Sequence, residues 1–214
     1  MSMQGIKFND IHSYYDLNLI LSQCSISPAE PKTNYIEIPG ADGSLDLSEA
    51  LGEIKYKDRK GTLVFSVLPD AGDFEEIKSK ISNLLNGVYF EKITLDKDPD
   101  FYYQGRCSVN DWKCDKRIGQ ITVDLKLNPW KTKTELTVID ASSMTQTVNL
   151  FNAGKPVVPY VDLLAPATIE FDGNLWELSE GMYTVPDFIL KTGDNLVFVD
   201  APGHCKFVYQ ERGL

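Results

Sequence analysis

His12 and His204 are the two imidazoles of the chain, so any Ser–His–Asp or Cys–His device would have to be built on one of them. His204 precedes Cys205, a base type beside a nucleophile type, but neighbouring residues of a strand point to opposite faces and cannot meet. The Pro202-Gly203 pair before it makes His204 a turn-flanking histidine. His12, beside Ser13 and Tyr14, reads as a loop residue. Carboxylates cluster at Asp42, Asp46 and Glu49 and again at Glu75 and Glu76, the residue type that glycosidases use in pairs. Neither cluster has a cleft-lining aromatic near it in sequence, and the chain holds 31 acidic residues, so both read as solvated surface. Asp172, Asp194 and Asp200 lie in or near turns, where an aspartate bonds its own backbone, and no twelve-residue calcium loop with its closing Glu is present. No HExxH, GxSxG, GxGxxG or P-loop pattern occurs. Cys24, Cys107, Cys114 and Cys205 are scattered without CxxC spacing and read as small buried hydrophobes. Tyr102, Tyr103, Trp112, Trp130 and Trp176 could stack on sugar rings, although aromatics of a β-rich chain more often fill its core or rim. The expectation is a protein that is not an enzyme and needs no metal or cofactor.

The charge balance narrows the partners. With 31 acids against 21 bases the net charge is −10, whereas nucleic-acid binding needs clustered cations on the phosphates. The basic runs (Lys55, Lys57, Arg59, Lys60; Lys113, Lys116, Arg117; Lys131, Lys133) are short and lie between acids. Specific nucleic-acid binding is therefore not expected. The opening residues MSMQGIKFND carry no basic start followed by an apolar run, so no secretory signal is expected. No window supplies the roughly 18 uncharged apolar residues of a membrane helix.

The elements that must position these residues are mostly strands. Leu17–Ile26 and Thr33–Ile38 have strand character, the second stopped by Pro39-Gly40, and Ala41-Asp42-Gly43-Ser44 forms a turn because Asp-Gly tolerates positive φ. Gly52–Tyr56 and Gly61–Leu68 read as a hairpin with the charged tip Lys57-Asp58-Arg59-Lys60. One segment breaks the pattern: Phe74, Ile77, Ile81, Leu84 and Leu85 recur at three and four. Together with an Asp73 cap and a closing Gly87, this predicts one helix over 73–86. Val88–Leu95, Phe101–Trp112 and Ile118–Leu127 follow as strands, the last alternating Ile121, Val123, Leu125 and Leu127 with polar residues.

Beyond Lys131 the chain turns charged, then small and polar around Ala141-Ser142-Ser143, and then consists of short strands at roughly ten-residue spacing. The fold class is mainly β, with two β-sandwich or barrel-like domains: 1–133, carrying the helix, and 134–214, a small sandwich or jelly roll.

The run Ile38-Pro39-Gly40-Ala41-Asp42-Gly43-Ser44-Leu45-Asp46-Leu47-Ser48-Glu49-Ala50-Leu51 resembles a signature of the distal tail proteins of long-tailed phages. The likeness continues through the helix, Gly105-Arg106 and Asn128-Pro129-Trp130. In the second half it is carried by Phe151-Asn152-Ala153-Gly154, Lys191-Thr192-Gly193-Asp194-Asn195 and the ending Val208 to Leu214. The resemblance implies a virion structural protein at the tail tip, made in the bacterial cytoplasm. Six copies would close into a ring that joins the tail tube and tape measure to baseplate proteins and lets DNA pass. The implied first domain is a β-sandwich or split barrel with one helix, and the second, galectin-like in many members, points outward. The head-to-tail contact of such a ring is expected at Lys57, Asp58, Arg59 and Lys60 and at Tyr102 and Tyr103, with the turn of Pro39, Gly40, Asp42 and Gly43 shaping that region. The alternative function is a carbohydrate- or cell-surface-binding β-sandwich module.

Overall fold

The computed structural model describes residues 5–50, 52–67, 73–115, 118–141 and 145–214. Leu51, Leu68, Lys116, Arg117, Ser142 and Ser143 of the sequence reading lie outside them. The chain divides into two compact units, one running to Lys131 and the other from Thr132 to Gly213. The fold is mainly β, as the alternation of apolar residues indicated, with one helix among the described residues.

In the first unit the strands are β1 Ile6–Phe8, β2 Ile11–His12, β3 Leu19–Ile26, β4 Tyr35–Glu37, β5 Ser44–Asp46 and β6 Arg59–Val67. The helix α1 Phe74–Leu85 follows, and then β7 Tyr89–Leu95, β8 Asp98–Asp115 and β9 Ile118–Leu127. One antiparallel sheet runs β2-β1-β7-β8-β9-β6-β3. Its inner face and α1 share a core in which Phe8, Leu63, Phe65, Ile93, Ile121 and Val123 have no exposed surface. On β9 the residues Ile121, Val123, Leu125 and Leu127 point inward and Thr122, Asp124 and Lys126 outward, the expected register of a strand with one wet face.

The apolar stripe of α1 buries Ile77, Ile81 and Leu85, with Phe74 and Leu84 packed at its margin. Each fully buried aliphatic residue of this kind contributes roughly 1.5–3 kcal/mol relative to exposure. Phe74 sits over Gly119 of β9, where a Cβ would lie 2.2 Å from its ring. The start of the helix differs from expectation. Asp73 is the N-cap residue, but its carboxylate caps no amide; only its backbone carbonyl accepts, from Ile77 at 3.1 Å. At the other end Gly87 takes the left-handed conformation, and its amide donates to Cys107 of β8 at 2.9 Å.

The predicted hairpin with a tip at Lys57–Lys60 is not formed. Arg59 and Lys60 belong to β6, which lies between β3 and β9 in the sheet. That tetrapeptide has none of the Gly or Asn residues that tight turns require, and the reversal is made elsewhere.

The second unit contains β11 Thr137–Ala141, β12 Thr145–Asn149, β13 Tyr160–Leu163, β14 Ala167–Phe171 and β15 Asn174–Leu178. They are followed by β16 Gly181–Thr184, β17 Leu196–Asp200, β18 Cys205–Tyr209 and β19 Arg212–Gly213, the last paired with β10, Lys131–Lys133. Two four-stranded sheets, β11-β18-β13-β16 and β12-β17-β14-β15, enclose one core as a sandwich. Phe188 plugs its centre, with ring centroids 5.3 Å from Phe171, 5.3 Å from Trp176 and 6.0 Å from Phe207. The strand read over Met182–Ile189 stops at Thr184, and Phe188 and Leu190 enter the core from the segment after it.

Three short stretches of this unit meet. Asn152 is fully buried and its side-chain amide donates to the Lys155 carbonyl at 2.9 Å. Asn195 donates to the carbonyls of Leu150, Lys191 and Gly193 at 3.0, 2.8 and 3.0 Å and accepts from the Lys191 amide at 2.8 Å. The Ala153 amide and Lys133 Nζ both donate to Glu211, at 2.9 and 2.8 Å. A Cβ on Gly154 would lie 2.2 Å from the Arg212 carbonyl, so only glycine fits there.

Candidate assembly interface

The residues that suggested chemistry are structurally occupied. His12 Nδ1 accepts from the amides of Tyr14 and Tyr15 at 3.1 and 3.3 Å, which leaves Nε2–H to donate to Asp96 at 3.1 Å. Asp96 also accepts the Gly5 amide at 2.7 Å, so this pair clasps the first strand to the end of β7. His204 Nε2 lies 2.8 Å from Asp140, while the Cys205 side chain is fully buried. Burial, reinforced by Asp140 and Asp162, pushes the Cys205 thiol up to about 12, and burial alone does the same to Cys107. Neither is a thiolate at neutral pH. Cys24 is half-buried with its thiol also pushed up by burial, and Cys114 is exposed, against the expectation for it.

The acids remain at the surface: Asp42, Asp46 and Glu49 on an exposed ribbon, Glu75 and Glu76 on the first turn of α1. Among the described residues no group of three or more His, Cys, Asp or Glu could hold a metal ion. None of their helices is long and apolar enough to cross a membrane. Trp112, Trp130 and Trp176 each pack on a different partner, Phe74, Tyr56 and Phe188.

What stands out is the path between β3 and β6. Their ladder ends at Ile26 opposite Gly61, yet the two chain segments stay paired beyond it. The Ser27 amide donates to Lys60 at 2.8 Å, the Lys57 amide to Glu30 at 2.8 Å and the Lys32 amide to Lys55 at 2.7 Å, with a bridge between Pro31 and Tyr56. Further out, the pairing continues between residues 34–37 and 44–47. Leu47 donates to Asn34 at 2.8 Å, and Tyr35, Ile36 and Glu37 pair with Asp46, Leu45 and Ser44. The turn at the far end uses Gly40 and Gly43 at φ of 85° and 77°. The Pro39–Gly43 signature is thus the tip of a two-stranded arm continuous with the sheet. Asp46 braces that tip by accepting from Ser48, which holds its carboxyl below the usual carboxylate range.

The root of the arm is fixed. Tyr56 packs edge-on against Trp130 at 5.2 Å, and Arg59 Nε donates to the Pro129 carbonyl at 2.8 Å while its guanidinium lies over the Tyr103 ring at 5.7 Å. The Asn128-Pro129-Trp130 signature therefore anchors the arm. Arg59 is buried and faces inward, and Tyr102 is buried with Lys92 over its ring. Of the residues expected at a ring contact, Arg59 and Tyr102 are therefore buried within the chain, whereas Lys57, Asp58 and Lys60 are exposed and Tyr103 is partly so.

The outer arm is uncovered. No residue of β4 or β5 is buried, and Ile36, Ile38 and Leu45 are 46%, 48% and 49% exposed. Ile36 and Leu45 are direct cross-strand neighbours and therefore share a face. A lone two-stranded ribbon is marginal in water, and one that also displays apolar residues on one face is built to be covered.

No family model matches the sequence, and no curated protein matches it. Among solved structures the chain is similar to SPP1 Dit, described as a paradigm of the hub adsorption apparatus in phages infecting Gram-positive bacteria. The TM-score is 0.70 at 14% sequence identity, over 99% of each chain. From the β2–β1 edge to the last residues, this chain has the Dit fold.

Proposed function

We propose that the chain is a structural component of a phage tail, a distal tail protein whose copies close into a ring, six by the sequence resemblance, between the tail tube and the proteins of the tail tip. The observation that carries this reading is the whole-length fold likeness to a hub protein, in a chain whose exposed apolar arm has no cover of its own. A head-to-tail ring needs one protruding element and one receiving surface on every copy. The arm is the first, and its exposed root residues Lys57, Asp58 and Lys60 lie where a neighbour would pass. The tape measure and the baseplate proteins are the partners this position implies, and the virion tail tip is the location. No reaction is required of the protein, in keeping with the occupied histidines and the raised thiols.

In such a ring the bore stays neutral to acidic, because an anionic wall repels phosphates and keeps contacts with passing DNA brief. Native mass spectrometry with negative-stain imaging of the purified protein tests the reading. Closed rings with six-fold symmetry are expected. A chain that stays monomeric at every concentration, or forms a closed dimer only, would overturn it.

A further inference from the structure

The ribbon poses a question of address: which surface covers it. Between Thr33 and Ile54 the sequence holds the acids Glu37, Asp42, Asp46, Glu49 and Glu53 and no lysine or arginine. The cover must therefore combine cations with apolar reach. The outer face of the second unit's β12-β17-β14-β15 sheet has the apolar part, Leu175, Leu196 and Phe198, but its strands carry Glu170, Glu177 and Asp200 and no base. It would repel the arm.

The outer face of the first sheet offers the opposite. Lys60 of β6 lies directly across from Lys126 of β9, Lys126 across from Arg106 of β8, and Arg106 across from Tyr89 of β7. All four are exposed. At the spacing of neighbouring strands this row is roughly 14 Å long. Like charges directly opposite one another across a ladder destabilise it, and an acidic chain has no general reason to stack three cations so. Nearby counter-charge is thin. Asp58 stands 3.4 Å from Lys126 in an exposed pair, Arg106 donates to the Gly87 carbonyl, and Asp124 in the next row is engaged by Thr62 and Asn110. Exposed pairs of this kind are worth little.

We propose that the acidic ribbon of one copy docks across the Lys60–Lys126–Arg106–Tyr89 row of a second copy, a proposal that rests on the self-assembly reading above. Tyr35 and Glu37 share the ribbon face opposite to that of Ile36 and Leu45. Through that face Glu37, with Asp42 at the tip, meets the cations, and the exposed Tyr35 ring lies on Tyr89 and on the aliphatic stems of the lysines, which cover apolar surface while keeping their charge in water. The arm cannot serve its own row. Lys60 is at the arm's root, opposite Ser27, and Glu37 lies ten residues further along a path paired outward through Glu30–Lys57, Pro31–Tyr56 and Asn34–Leu47, up to roughly 33 Å at the rise of a strand. The contact is thus between copies and head-to-tail, each copy giving an arm and receiving one.

Charge reversal with rescue, read by sedimentation velocity on the full chain, tests this. K60E/K126E and E37K/D42K each alter exposed side chains and spare Arg106 and Asp46, which make bonds inside the subunit. Each double variant is expected to weaken self-association about tenfold or more while melting with the wild type, and the combination of all four is expected to recover most of it. Should K60E/K126E fold poorly, K60Q/K126Q gives the same readout with a smaller loss. Wild-type assembly by both double variants, or no recovery in the combined variant, overturns the docking proposal and leaves the ring reading standing. A wild-type chain that never assembles overturns both.

Discussion

At the residue scale, the second unit shows what its punctuating sequences are for. Phe151-Asn152-Ala153-Gly154, Lys191-Thr192-Gly193-Asp194-Asn195 and Glu211-Arg212 are far apart in the chain but form one hub. Two buried asparagines supply the side-chain amides that the converging backbones lack. Asn195→Ala strands several backbone groups at once, and about 1–3 kcal/mol of lost stability is expected in denaturant titration. An exposed asparagine such as Asn110 should cost far less on the same measurement. Glu211 gives a pH prediction. Burial opposes its ionisation, but the hydrogen bonds from Lys133 and Ala153 outweigh that and hold its carboxyl below the usual carboxylate range. A carboxyl depressed in the folded state adds stability above its unfolded value and loses it as the pH falls through the folded value. Thermal stability should therefore decline on acidification below that range, and Glu211→Gln should start lower and lose less. These roles were hidden from the sequence because Asn and Gly mark turns without saying which turns meet.

At the scale of elements, the legible parts were those whose pattern is local. The three-and-four spacing of α1 and the alternation of β9 each report a face, and each face is buried as read. Residues Thr33–Ile38 carry an equally apolar pattern, yet Tyr35, Ile36 and Ile38 are exposed. Periodicity tells which residues prefer to leave water, not what will cover them, and for the arm no cover lies in its own unit. The turn read at Ala41–Ser44 is where the chain reverses, and the second reversal read at 57–60 is absent for a related reason. A charged stretch at 57–60 resembled a loop, whereas the left-handed glycines at 40 and 43 are what the backbone needs to turn. Because Ile36 and Leu45 contribute to no core, I36S/L45S should leave the melting temperature where it is and lower self-association by about tenfold. A drop in melting temperature without a change in assembly would mean that the face is covered by its own chain.

At the scale of the whole molecule, a likeness in fold at 14% identity over full length shows how little of this architecture depends on particular side chains. What must persist is the order of strands, one helix, and a few positions where geometry admits no substitute. Gly105 is such a position, since a Cβ there would lie 2.2 Å from the Lys126 carbonyl and 2.7 Å from Leu127 Cα. The sequence resemblance picked out this residue, and the reason is steric. The arm's continuity with the sheet has a mechanical result. Backbone hydrogen bonds at Ser27–Lys60, Lys57–Glu30 and Lys32–Lys55 carry the pairing outward from β3 and β6, and β6 is paired with β9 along nine successive residues. A pull on the arm along its length loads these bonds side by side in shear, so that many must fail together, where a loop-tethered arm would peel away one bond at a time. A part that has to transmit force from one end of a particle to the other would be built in this way.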